Sequence, residues 1–419
     1  MASACAPTVS GTNADAATAL RRALKRSRRG EQLQAAALVL PLFLFLLATF
    51  LVPIGGMLGR GLFDREVGEI LPRVTAELAR WDGTGLPPDA AWAAMIEDVR
   101  VAREAGTLAS AATRLNYDVA GFRSLLFATG RRLGSDVTGS PRDILGAIDP
   151  MWNDRETWAV IRRAAGPITD FYLLAALDLR RDASNAITQT SPEQAVFRNV
   201  LGRTLWISGV VTLVCLLLGY PVAYFIARQP PGRAAVLLFL VLLPFWTSLL
   251  VRTVAWVVLL QREGILNSLM LSLGLVSEPV RMIFNRFAVY VAMVHVLLPF
   301  MVLPLYAVMK GISPTYLRAA SSLGAAPFTA FRRVYLPQTL PGVGAGCLMV
   351  FIQALGYYIT PALVGGADDQ MISYFIAFYA SKTVNWGMAA ALSIMLLAAT
   401  LALYAVYDRM VGIDRMRPG

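Results

Sequence analysis

The chain has 419 residues, of which 56% are hydrophobic and 16% are charged, and its formal net charge is +11 at pH 7. Soluble globular proteins carry about 25% charged residues, so this composition excludes a purely water-soluble fold. The single histidine excludes a multi-histidine metal site, and the three widely spaced cysteines give neither a disulfide framework nor a zinc spacing. None of the three lysines follows a glycine, which excludes a G-x-x-x-x-G-K-[ST] phosphate-binding loop.

Six apolar stretches organise the chain. A helix needs about 20 apolar residues to cross about 30 Å of hydrocarbon. The stretches that meet this length are 35–58, 204–226, 234–260, 287–309, 341–364 and 387–407. A cleaved signal peptide is the alternative for the first stretch, but its apolar core would be only about 7–15 residues long. We therefore predict six transmembrane helices.

A long polar segment separates the first two stretches. Apolar residues recur at helical spacing around Trp92, and Ser140 followed by Pro141 is typical of a helix start. We predict an all-α integral membrane protein with a helical insert between its first two spans. The predicted parts are a tail at 1–33, a first transmembrane helix at 34–58, the insert at 59–199, and a core at 200–419 with five further transmembrane helices.

The basic residues predict an orientation. The segment 60–198 holds 19 acids and 17 bases, whereas the rest of the chain holds 8 acids and 21 bases. These bases concentrate in the tail, in the loop 310–340 and near the chain end, and short Lys/Arg-rich segments stay in the cytoplasm. Both termini are therefore predicted to be cytoplasmic, and the insert to be extracytoplasmic.

The loop 310–340 has a clear local pattern. Ser313 can cap a helix that starts at Pro314, and Gly324 suits the left-handed position after its end. A second helix is predicted from Pro327 and is expected to stop before Pro337.

One face of this second helix carries Phe328, Phe331 and Tyr335. A solvated linker does not need such an apolar edge, whereas a docking surface for a second protein does. The pattern therefore predicts a protein-binding loop.

This loop resembles the EAA loop of permease subunits of binding-protein-dependent ABC importers. The family pattern is Glu-Ala-Ala, three residues, Gly, nine residues, an aliphatic residue, any residue, and Leu-Pro. The positions that match it are Ala319, Ala320, Gly324, Val334, Leu336 and Pro337. Arg318 stands where the family has Glu, which puts in doubt any salt bridge that the usual Glu makes.

Three further stretches are similar to spermidine/putrescine-type permeases. They read PFWTSLLVRTVAW (244–256), GILN (264–267) and LVGG…NWGMAAALS (363–393). The resemblance implies the type I ABC importer permease fold and import of a small solute, most directly a polyamine. Opines or amino-acid derivatives stay open as solutes, and the insert is larger than the family pattern leads us to expect.

The resemblance also implies partners and a location. The partners are ABC ATPase subunits, a second permease subunit that differs from this chain, and an extracytoplasmic solute-binding protein, all at a bacterial inner membrane. ATP and Mg²⁺ are expected on the ATPase subunits, while this chain is expected to bind no cofactor and to catalyse no reaction.

Polar and aromatic residues in the spans are candidates for the solute path. Arg252 lies within an apolar stretch, where a charge costs about 2.5–3.5 kcal/mol, unless it reaches the membrane interface. Aromatic rings can face an ammonium group, although such residues also form interface belts. The candidates are Trp246, Arg252, Trp256, Gln353 and Tyr357.

The sequence is also compatible with a different class of protein. A membrane-anchored sensor or assembly protein, whose extracytoplasmic domain binds a partner, would explain the large insert. It would not explain the glycine-turn loop at 310–340, which is predicted on the opposite side of the membrane.

Overall fold

The structure, a computed structural model, describes residues 34–35, 37–133, 139–182 and 184–411. The predicted tail at 1–33 lies outside the described residues. Helix α1 (Ala37–Gly59) forms a unit of its own, separate from the unit that begins at Arg60. It has 23 residues and includes a π-helical segment at Leu47–Leu51. At 1.5 Å per residue it reaches about 34 Å, enough to cross a bilayer.

The second unit begins with a helical domain around a tryptophan core. Trp92, Trp152 and Trp158 are fully buried, and the ring of Trp158 lies 4.7 Å from that of Trp92 and 5.2 Å from that of Trp152. Seven helices contribute to this core: α2 (Glu66–Ile70), α3 (Pro72–Arg80), α4 (Asp89–Glu104), α5 (Leu108–Asp118), α6 (Phe122–Arg132), α7 (Pro141–Ile148) and α8 (Arg155–Ala164). The short helix α9 (Phe171–Ala176) follows them and belongs to a separate apolar cluster.

The helix start at Ser140 is confirmed, because its side chain accepts a hydrogen bond from the Asp143 amide and Pro141 opens α7. A short antiparallel hairpin follows α9, which the sequence pattern did not predict. Strand β1 (Leu179–Arg181) pairs with β2 (Ile187–Gln189), and Arg180 lies opposite Thr188.

The remaining helices form the membrane part. They are α10 (Phe197–Ala227), α11 (Pro231–Leu242), α12 (Leu249–Leu260), α13 (Ile265–Ser272), α14 (Arg286–Gly311), α15 (Pro314–Ser322), α16 (Pro327–Ala330), α17 (Leu336–Gly356), α18 (Ile359–Val364), α19 (Ile372–Ser381) and α20 (Trp386–Val411). With α1, the described residues contain five helices long and apolar enough to span a membrane, or six if one bent pair counts as a span.

The third predicted span, 234–260, is not a single helix. Helix α11 continues into a 3₁₀ turn at Leu243–Trp246, and the chain then bends by 92° before α12. Thr247 and Ser248 have extended backbone angles, so the helical hydrogen-bond ladder is interrupted at the bend. Hydropathy does not register such a break, because the residues on both sides are equally apolar.

The predicted helix stop before Pro337 is wrong. Helix α16 passes through a π-helical turn at Phe331–Tyr335 directly into α17. The Leu336 amide bonds to the Phe331 carbonyl, one residue further back than in an α-helix. Because proline clashes with the carbonyl four residues before it, this wider turn lets the helix continue through Pro337.

The fifth predicted span, 341–364, ends earlier than expected. Helix α17 stops at Gly356, Tyr357 is extended, and the short helix α18 follows. The span therefore begins in the loop 310–340 and ends at a break that contains two tyrosines.

Helix α14 lies at the centre of the membrane part, packed against α10 and α17. The insert joins this part at two places. Helix α9 packs on α20 through Tyr172 and Met388, and the Asp178 carboxylate accepts hydrogen bonds from the Phe197 and Arg198 amides at the start of α10. The insert is therefore attached to the first turns of two spanning helices.

Candidate functional site

The loop 310–340 forms a helix, a glycine turn and a second helix. The Ser313 hydroxyl accepts a hydrogen bond from the Thr315 amide at 3.3 Å, which caps α15. Gly324 has φ +82°, and its amide bonds to the Ser321 carbonyl at 3.0 Å. A side chain at this φ is strained, which explains why the turn needs glycine.

The exposed apolar edge of this loop differs from the predicted one. Phe328 is 73% exposed, as expected for an edge, but Phe331 is only half-exposed and Tyr335 is buried. The edge is completed instead by Leu323 and Tyr316, which are 89% and 55% exposed. Three large apolar side chains therefore surround the glycine turn without cover from the described part of the chain.

An aromatic cluster fixes the loop to α10. Phe331 stacks on Tyr335 with ring centroids 5.7 Å apart, and Tyr224 meets both rings edge-on at 5.7 and 5.3 Å. The Tyr220 hydroxyl lies 3.1 Å from the Thr339 hydroxyl, and the Arg228 guanidinium lies 4.0 Å from the Tyr224 ring centroid. The loop is thus packed against the last turns of a spanning helix.

The residues at the positions of the EAA pattern, including Arg318 at its first position, differ in how far they are exposed. Exposed on the loop are Arg318, Ala319, Gly324 and Pro337, and half-exposed are Ala320, Val334 and Leu336. Within the described residues the Arg318 side chain makes no ion pair. Its role as a docking residue stays a prediction.

Three of the candidate path residues come together with the single histidine. The Trp256 indole N–H donates to Nδ1 of His295 at 3.2 Å. Arg252, one turn before Trp256 on α12, is close enough to His295 and Tyr357 to interact electrostatically with both. We call Arg252, Trp256, His295 and Tyr357 the donor cluster. The sequence pattern did not indicate His295 as a member of such a cluster, because its contact with Trp256 joins two different helices.

The other two path candidates lie apart from any described partner. Trp246 ends the 3₁₀ turn before the bend and is 78% exposed, and Gln353 is exposed on α17. An amide in hydrocarbon needs a hydrogen-bond partner, so Gln353 faces protein or water rather than lipid tails. Their part in a solute path stays a prediction.

The loop between α18 and α19 is held by two arginines. The Asp369 carboxylate pairs with Arg286 at 2.9 Å and accepts from the Gly366 amide at 3.2 Å. Arg203 donates to the carbonyls of Asp368 and Gln370, both at 2.5 Å. Of the two acids in this loop, only Asp368 is exposed.

These features define a class of protein: a multi-pass helical membrane protein with interrupted spans and an exposed apolar edge on the loop 310–340. Comparison with known proteins gives the family. Residues 216–413 match the family described as binding-protein-dependent transport system inner membrane component.

Two relatives are permeases of the same kind. The chain is 38% identical to the spermidine/putrescine transport system permease protein PotB of Haemophilus influenzae over 249 residues, which is 58% of this chain and 87% of the relative. It is also 38% identical to PotB of Escherichia coli over 214 residues, which is 51% of this chain and 78% of the relative.

A solved bacterial alginate ABC transporter, crystallised with an alginate-bound periplasmic protein, has a chain with 18% identity and a TM-score of 0.44, over 53% of this chain and 80% of that one.

The chain belongs to the family of binding-protein-dependent transport system inner membrane components. It is a permease subunit of an ABC importer and a multi-pass inner-membrane protein. The insert at 59–199 lies outside the family match.

Proposed function

We propose that this chain is the permease subunit of an importer that moves a polyamine, such as putrescine or spermidine, into the cytoplasm. The support is the 38% identity to two spermidine/putrescine permeases, whose own lengths the chain covers to 87% and 78%. The spans of this chain also hold aromatic side chains, which can face an ammonium group.

The loop 310–340 is the proposed docking site for an ABC ATPase subunit. The observation that carries this proposal is the exposed edge of Tyr316, Leu323 and Phe328 around the turn at Gly324. An apolar edge of this kind is costly in water and is covered in an assembly. ATP and Mg²⁺ would be bound by the ATPase subunits, and this chain would take part in no covalent step.

The aromatic cluster between this loop and α10 provides the coupling. Closure of the ATPase subunits would displace the loop, and Phe331 and Tyr335 would pass the displacement to Tyr224 on α10. ATP can shift the permease between two states only to the extent that it binds one assembled state more tightly.

The orientation is proposed from the charge pattern. Both termini and the loop 310–340 would be cytoplasmic, and the insert would be extracytoplasmic, on the side from which a solute-binding protein delivers the polyamine. A second, different permease subunit would complete the solute path.

The test is uptake of labelled putrescine and spermidine by cells that express the partner subunits. Cells without this chain, cells with the wild type and cells with Gly324→Asp are compared. We expect uptake only with the wild type, because an aspartate at φ +82° strains the turn and places a charge on the docking edge.

Gly274→Asp is the matched control. Gly274 also has a positive φ, +69°, and open space around it, but it lies between α13 and α14, away from the docking loop. The Gly274→Asp variant should therefore keep most of the wild-type uptake. Full uptake by an inserted Gly324→Asp protein would contradict the coupling role, and no uptake of either amine by the wild type would remove polyamines as the solute.

A further inference from the structure

Arg252 has hydrogen-bond donors that nothing satisfies. Its Nε and Nη1 atoms are shielded from solvent and find no acceptor among the described residues. A buried donor that lacks an acceptor is destabilising, and more so on a charged group than on a neutral one. A buried donor of this kind points to an acceptor from outside the described residues, which is a water, an ion or another molecule.

His295 cannot be that acceptor. An indole N–H only donates, so the bond from Trp256 requires a lone pair on Nδ1 of His295. In the neutral imidazole the proton is then on Nε2, which also donates. Arg252 and His295 therefore both present donors, and the Tyr357 hydroxyl, which can accept, is not hydrogen-bonded to Nε or Nη1 of Arg252.

The surroundings increase the positive potential. Arg252 lies in the first turn of α12, whose N-cap residue Ser248 makes no side-chain cap. The N-terminus of a helix carries a partial positive charge, which disfavours a cation there. The described spans α10, α11, α12, α14 and α17 contain no aspartate or glutamate that could compensate.

We propose that the donor cluster is a carboxylate-binding site. A carboxylate has two oxygens that match the paired N–H groups of a guanidinium, and it neutralises the charge, which water cannot do. Lipid tails offer no acceptor at all. The Arg252 residue as a whole is only partly buried, so a group from outside this chain can approach its side chain, although Nε and Nη1 are themselves shielded.

The carboxylate has two possible sources, and the inference rests on the proposed assembly with a second permease subunit. One source is the solute, which would then be an amine that also carries a carboxylate. The other is an aspartate or glutamate of the second subunit, which would leave a pure polyamine as the solute.

The experiment uses the whole importer in proteoliposomes, with putrescine as the transported probe and ornithine, its carboxylated analogue, as the competitor. Arg252→Gln is compared with wild type, with Arg252→Lys, and with Arg262→Gln as the control, since Arg262 is exposed beyond the end of α12. If the solute supplies the carboxylate, Arg252→Gln should weaken inhibition by ornithine at least about tenfold, the loss expected for a charged hydrogen bond. The readout is the ratio of the ornithine inhibition constant to the putrescine KM, which Arg252→Gln should raise and Arg262→Gln should not.

The second arm tests the subunit source. Arg252→Glu should abolish assembly or uptake, and replacement of one acidic residue of the second subunit by lysine should restore it. The proposal is overturned if Arg252→Gln matches wild type in both putrescine uptake and ornithine inhibition and no such charge exchange rescues Arg252→Glu.

A variant that fails to assemble is still informative, because the charge exchange is scored on the amount of complex recovered. Failure of the wild type to transport putrescine would contradict the polyamine proposal but not the proposed role of Arg252. That role would still be decided by ornithine transport and by the charge exchange.

Discussion

Arg114 is the most deeply buried cation among the described residues, with 2% of its side chain exposed. It pairs with Asp64 and, at 2.7 Å, with Asp118, and its guanidinium lies 4.9 Å from the Tyr172 ring centroid. Burial opposes its ionisation, but the charges of Asp118 and Asp64 outweigh burial and raise the pKa of Arg114 above its usual value. This ion cluster ties α5 to the start of the insert.

Arg114→Met should therefore destabilise the insert strongly. Breaking a buried ion pair from one side costs about 3–5 kcal/mol, because the two carboxylates stay buried without compensation. Thermal unfolding of the purified full chain in detergent, followed by tryptophan fluorescence, measures the effect, since Trp92, Trp152 and Trp158 report on the insert core.

Arg100→Met is the control for this change. Arg100 forms a surface pair with Glu97 at 3.1 Å, and such pairs contribute about 0–1 kcal/mol. Equal unfolding midpoints for the two variants would show that the ion cluster does not hold the insert together.

At the scale of elements, the contact between α9 and α20 fixes the insert to the membrane part. The ring of Tyr172 lies against the backbone of Gly387 so closely that a Cβ at this position would overlap the ring. The same tyrosine donates to Asp64 at 3.4 Å, which links the contact to the ion cluster. The φ of Gly387 is not positive, so its backbone conformation does not require glycine. The position requires glycine because the Tyr172 ring leaves no room for a Cβ.

Gly387→Ala should lower the unfolding midpoint, because overpacking a close contact costs about 1–3 kcal/mol. The same substitution should cost much less in a Tyr172→Ala background, where the obstructing ring is gone. The four proteins form a double-mutant cycle in the same fluorescence measurement. Identical losses in both backgrounds would mean that Gly387 does not act through the ring.

At the scale of the whole second unit, α10 connects the insert with the docking loop. The helix has 31 residues and reaches about 46 Å. Asp178 of the insert caps its first turn, and its last turns carry Tyr220 and Tyr224, which hold the loop 310–340. A single helix therefore links the insert to this loop.

The proposed orientation places these two ends on opposite sides of the membrane. In a background with the three native cysteines replaced, Ser124→Cys reports on the insert and Ser322→Cys on the docking loop, since both serines are exposed. In right-side-out vesicles, an impermeant maleimide should label Ser124→Cys only, and Ser322→Cys should react after permeabilisation. The reverse pattern would invert the topology.

The amino-acid sequence by itself determined the all-α membrane class and, in the loop 310–340, the helix cap at Ser313 and the glycine turn at Gly324. The length of an apolar stretch decides whether a helix can span the membrane. Ser313 and Gly324 form hydrogen bonds with residues close to them in the chain. Both features can therefore be predicted without knowledge of distant contacts. The family resemblance at 310–340 can be recognised from the sequence as well, because it depends on the spacing of residues along the chain.

Only the tertiary structure decided where the spans break and which side chains meet. The bend before α12 and the π turn before Pro337 leave the apolar pattern unchanged. Trp256 and His295 are 39 residues apart in the chain, and their hydrogen bond depends on how α12 packs on α14. Hydropathy carries no information about such packing, and for that reason the donor cluster appears only in the folded molecule.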